Sequence, residues 1–101
     1  MSADAPQPQL LKLPRRFVDD HVDRELPTPT IVRQTKRHVW VRADDPWLPE
    51  LLNDADFYAD SVGLARDALP ISLAARALLR AVQRQGIDWR RLASQVPDYR
   101  Y

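Results

Sequence analysis

Apolar positions recur along this chain in two different rhythms, and the rhythm changes near residue 28. In the stretch RRFVDDHVDREL (residues 15–26), Val18, Val22 and Leu26 fall at steps of four, the spacing that lines one face of a helix, with Phe17 beside them. Asp20 and Arg24 stand at i and i+4, where they can pair on the helix surface. Pro27 closes the element, because the residue before a proline avoids the helical region. From Thr28 to Ala43 the helical spacing disappears and Thr, Ile, Val and Trp accumulate, which predicts extended chain. One strand over the whole run would be too long, so two short strands are expected, near 30–34 and 38–43. No glycine or Asn-Gly lies between them, which argues against a primed hairpin turn and leaves a bent or interrupted strand equally acceptable. Val39 and Val41 alternate with Trp40, so both faces of the second strand are apolar, as in a central or doubly covered strand.

Helical spacing returns after Asp45-Pro46, an acidic N-cap followed by a first-turn proline. Leu48, Leu51, Leu52, Ala55, Ala59 and Val62 make one stripe, and Pro49 predicts a tight turn before the regular helix. Glu50, Asp54, Asp56 and Asp60 make this helix acidic, and Phe57 falls opposite the stripe. Gly63 marks a break and Pro70 closes the stretch that follows. Ser72 then reads as the cap of a helix over 72–85, with Ala75, Leu78, Leu79 and Val82 inward and Arg76, Arg80, Gln83 and Arg84 opposite. Gly86 ends it, and Ile87 suits the closing contact of a Schellman motif. Asp88 caps a last short helix over 89–96, with Trp89, Leu92, Ala93 and Val96 inward and Pro97 as the stop.

The elements together predict an α+β fold, mostly helical, with about four helices and one or two short strands within 30–43. Ahead of them, residues 1–14 carry Pro6, Pro8 and Pro14 with glutamines between, which reads as an extended Pro-rich arm on a single globular domain spanning 15–101. Leu10, Leu11 and Leu13 interrupt that polar arm, either packing back on the domain or docking on a partner.

Composition narrows the chemistry. At 101 residues and 45% apolar, the chain supports one modest core. With no cysteine it has neither disulfides nor thiolate zinc sites. The net charge of +1 is small for a dedicated non-specific nucleic-acid binder. No apolar run approaches the roughly 20 residues of a membrane span, and the start of the chain lacks a secretory signal pattern, so a cytoplasmic location is expected.

Three constellations carry candidate chemistry. The helix pair over 72–96 has the spacing of a helix-turn-helix, which would set Arg90 and Arg91 in the first turn of the second helix and Arg76, Arg80 and Arg84 along its flank. Trp40 between basic residues, with Arg37, His38 and Arg42 nearby, has the makings of a platform that stacks bases and contacts phosphate. The acidic helix near 50–60 and the Arg face of 72–85 have opposite signs and can lie side by side or serve as docking surfaces. Against catalysis, two glycines leave no room for a phosphate loop, and no serine has an evident base. His21 and Glu25 share helical spacing, but without a clear ligand set no metal and no cofactor is expected.

The chain therefore reads as a non-enzymatic adaptor or assembly protein docking on a protein partner or larger complex. Its contacts are expected from Leu10, Leu11, Leu13, Phe57, Tyr99 and Tyr101. The alternative is a DNA-binding regulator using the 72–96 helix pair, with Arg37, Trp40 and Arg42 as further contacts.

Overall fold

In the computed structural model, which describes residues 9–60 and 69–96, the fold is α+β. Strand β1 (Leu10–Pro14) runs directly into helix α1 (Arg15–Asp23). Strands β2 (Ile31–Gln34) and β3 (His38–Arg42) follow, then helices α2 (Leu48–Ala59), α3 (Leu69–Arg84) and α4 (Trp89–Ala93). The three strands form one antiparallel sheet in the order β1-β3-β2.

The sheet needs β1, and this corrects the reading of 1–14 as an arm over the part the structure describes. Lys12 lies opposite Trp40 and Leu13 opposite Val39. Leu11 and Leu13 are wholly buried with Val39 and Val41 on the face that the helices cover. Alternation then sends Leu10, Lys12, Trp40 and Arg42 to the other face. Burial of two leucines and the ladder bonds to β3 together offset the cost of ordering a short Pro-containing segment. Residues 1–8 lie outside the described residues.

The two expected strands are a hairpin. Thr35 N donates to His38 O at 2.8 Å, and His38 N donates to the Thr35 hydroxyl at 3.2 Å, so a side chain closes the two-residue link Lys36-Arg37. Neither linking residue takes a positive φ, consistent with the missing glycine. Arg15 holds the loop from below, its N donating to Arg37 O at 3.0 Å and its Nη1 to Thr35 O at 3.1 Å.

Helix α1 is shorter than its spacing suggests and buries another face. Phe17, Val18 and His21 point inward, while Val22 is 44% exposed. The chain leaves the helix where Glu25 adopts a left-handed φ of 57°, so Leu26 never joins it. The expected Asp20–Arg24 ion pair is present.

Helix α2 begins at Leu48, after a tight turn in which Asp45 Oδ1 accepts from Trp47 N at 2.8 Å. Pro49 then sits in the first turn, where no intrahelical donor is needed. Leu48, Leu51, Leu52, Ala55 and Ala59 are buried as the stripe requires. Val62 and Gly63 lie outside the described residues.

Helix α3 begins at Leu69 rather than after Ser72. Pro70 fits its first turn, and Ser72 extends the buried stripe of Ala75, Leu78, Leu79 and Val82 instead of capping it. Its C-terminus is the expected Schellman motif: Gly86 at φ +85°, with Ile87 N donating to Val82 O at 3.3 Å and Gly86 N to Gln83 O at 3.0 Å. Asp88 caps α4, accepting from Arg91 N at 3.4 Å. Helix α4 is five residues long and rests chiefly on α2, where Asn53 Nδ2 donates to Ala93 O at 3.2 Å. No described helix is long and apolar enough to cross a membrane.

Candidate functional site

The packing of α2, α3 and α4 leaves an open cleft of about 900 Å³ with a charged lining. Helix α2 contributes Asp56 and Asp60, one turn apart, and α3 contributes Arg76 and Arg80 at the same spacing. Helix α4 adds Trp89, Arg90 and Ser94, over a floor of Ala59, Leu79 and Ala93. The acidic and basic helix faces that the sequence separates are thus two walls of one cavity. Among the described residues no ion pair bridges them.

Each wall is held in place by bonds that leave charge free. Arg76 Nε donates to Ala59 O at 3.2 Å, a cation on the last turn of α2 where the helix dipole favours one. The Arg90 guanidinium lies 4.8 Å from the centre of the Trp89 ring. Burial, and then the nearby Asp60 carboxylate, push the Asp56 carboxyl above its ordinary range, while Arg90 pulls it down. Ser94 is committed: its hydroxyl donates to Arg91 O at 2.7 Å. No histidine lines the cleft.

A second polar cluster is buried between α1 and α2. Asp54 accepts from Arg24 Nη1 at 3.1 Å and lies 2.9 Å from His21 Nδ1. The other ring nitrogen of His21 is 2.7 Å from Pro27 O. A carbonyl only accepts, so Nε2 carries a proton, and a further proton must lie across the His21–Asp54 contact. Arg24 also stacks on Tyr58 at 4.2 Å. Both nitrogens of His21 are committed to structure, which leaves neither for a metal. Among the described residues no group of three or more His, Cys, Asp or Glu could hold a metal ion.

The residues expected to bind a partner are dispersed. Leu11 and Leu13 are in the core, which withdraws them from any docking surface. Leu10 is 44% exposed and Phe57 62%. Tyr99 and Tyr101 lie outside the described residues. Of the Arg residues proposed to contact nucleic acid, Arg76, Arg80 and Arg90 line the cleft, and Arg84 shares a smaller groove with Lys12 and His38. Arg91 and Arg37 are exposed, and Arg42 is engaged by Asp44 through two bonds of 3.0 Å.

Sequence reasoning missed the role of Asp54 and His21, whose polarity hid their burial, and the inward-facing position of Ser72. It read Asp56 and Asp60 only as part of an acidic helix and Trp89 only as an inward position, not as residues of one cleft. A carboxylate pair at i and i+4 was visible, but nothing local said which helix it would face. No family model, curated protein or solved structure matches this chain.

Proposed function

We propose that the protein is a non-enzymatic docking module, and that the α2–α3–α4 cleft receives a segment of a protein partner carrying both charges. The observation that carries this reading is the pairing of walls: Asp56 and Asp60 on one side, Arg76 and Arg80 on the other, unbridged over an apolar floor. A partner helix or strand with a basic and an acidic edge satisfies both walls at once. Such complementarity sets orientation and association rate more than raw affinity. Trp89 is the residue type that anchors such contacts. The commitment of Ser94 to the backbone and the absence of a cleft histidine support binding over acyl-transfer chemistry.

The test is a photo-crosslinking side chain at Gln83, which lines the cleft. The crosslinked partner peptide is expected to hold both acidic and basic residues. Asp56→Lys with Asp60→Lys, or Arg76→Glu with Arg80→Glu, should each abolish the crosslink in a protein that still folds. Equal crosslinking in both charge-reversed proteins would remove the reading.

A further inference from the structure

We propose that the open face of the sheet, centred on Trp40 and its cross-strand neighbours Lys12 and Arg33, is a binding site for single-stranded nucleic acid. The site is separate from the cleft and shares with it only Arg80 at the margin.

The row across the sheet is built by register. Lys12 on β1 pairs with Trp40 on β3, and Arg33 on β2 pairs with the same Trp40. Simple alternation would put Arg33 on the same side as Ile31, which pairs with buried Val41 and packs on the core. A shift of register between Ile31 and Arg33 reverses this and re-aims Arg33 onto the open face, as bulges do. The result places the Arg33 guanidinium 4.7 Å and the Lys12 ammonium 5.7 Å from the centre of the indole. His38 lies on the same strand face, its ring 6.3 Å from that of Trp40.

The charge around this row is of one sign. The strands and hairpin link (10–14 and 31–42) carry Lys12, Arg33, Lys36, Arg37 and Arg42 and no acidic residue. Arg42 is neutralised by Asp44. Among the described residues the other four have no carboxylate partner. Beyond β1 a groove of about 490 Å³ continues the basic character through Lys12, His38, Arg80 and Arg84. The acidic residues are concentrated elsewhere, on α1 and α2, so the small net charge hides a local cationic strip.

An aromatic ring between cations on an open sheet face is the arrangement that stacks unpaired bases while cations hold the phosphates. A duplex keeps its bases inside and has no use for Trp40. The outer edge of β1 is closed to strand addition because the Gln85 amide bonds both Lys12 N and Lys12 O. The face, rather than that edge, is what a ligand meets.

The test is fluorescence anisotropy with a short labelled oligothymidylate, a duplex of equal length and a polyglutamate competitor. Four phosphate contacts give an expected log–log salt slope of about −3 for a single strand. Trp40→Ala should weaken binding about ten-fold or more, with Trp40→Phe retaining most of it. Lys36→Glu with Arg37→Glu, at the solvent-exposed hairpin link and away from the core, should cut the slope to about half. This double variant keeps the test decisive if Trp40→Ala fails to fold. No binding by the wild type, equal binding of duplex, displacement by polyglutamate at matched charge, or an unchanged slope in the Lys36/Arg37 variant would each overturn the proposal. All variants leave the cleft intact, so failure here does not bear on the docking reading.

Discussion

Gln85, one residue past the end of α3, takes the place of a strand neighbour for Lys12. Its Oε1 accepts from Lys12 N at 2.9 Å and its Nε2 donates to Lys12 O at 2.8 Å, the two bonds an additional strand would make. A helix terminus thereby blunts the edge of the sheet. Gln85→Ala removes both bonds and is expected to lower stability by about 1–2 kcal/mol. It should also raise concentration-dependent aggregation, read by light scattering. An unchanged denaturation midpoint would show that the edge needs no cover.

Removing residues 1–14 deletes β1 with Leu11 and Leu13, both wholly buried. The truncated protein is expected to be unfolded by circular dichroism. Leu13→Ala alone should cost about 2–5 kcal/mol. A cooperative melt of the truncated chain near the wild-type midpoint would contradict the three-stranded sheet.

Asp54, 3% exposed, holds His21 and Arg24 together in the interior. Asp54→Ala strands the partly buried Arg24 guanidinium and leaves His21 Nδ1 without its partner, and is expected to cost about 3–5 kcal/mol. Replacing His21 by Leu in the same background should cost less than the sum of the separate changes, because the two side chains share one contact. Additivity in chemical denaturation would mean that they do not interact.

Asp56 supplies the pH dependence. Its carboxyl is raised by burial and by Asp60, so the folded protein holds this proton more tightly than the unfolded chain does. That contribution to stability is fully present below the unfolded value, about 3.9, and is lost as pH rises through the raised folded value. Asp56→Asn should therefore stabilise the protein at neutral pH, by a few tenths of a kcal/mol as for other like-charge helix pairs. The gain should vanish on acidification below about pH 4. A gain that persisted at low pH would point to a cause other than ionisation.

Two helix ends make opposite predictions from the same backbone geometry. Gly86 has φ +85°, and a Cβ there meets nothing within 4 Å, so Gly86→Ala carries only the conformational penalty of about 1 kcal/mol. Glu25 takes φ 57° with a side chain in place, and Glu25→Gly is expected to stabilise by up to about 1 kcal/mol. Thermal melts of the two single variants should shift in opposite directions.

Local chemistry made several parts of this protein legible. The stripe Ala75, Leu78, Leu79 and Val82 was readable because helical spacing repeats over about two turns without a polar interruption. The Schellman end at Gly86 was equally clear, since few residues accept a left-handed φ. The hairpin was readable as two strands but not as a hairpin, because a threonine hydroxyl does the work expected of a turn glycine. Position by position, the amino acids determined the core-facing leucines of α2 and α3 and the separation of acidic from basic faces. Tertiary packing alone decided that Leu10–Pro14 is a strand, since a strand exists only with a partner and that partner lies some thirty residues on. It also decided that His21 and Asp54 are interior, since burying them is affordable only when each satisfies the other. The cleft and the Lys12–Trp40–Arg33 row arise in the same way: each gathers residues from three separate elements, and no local pattern encodes which elements will meet.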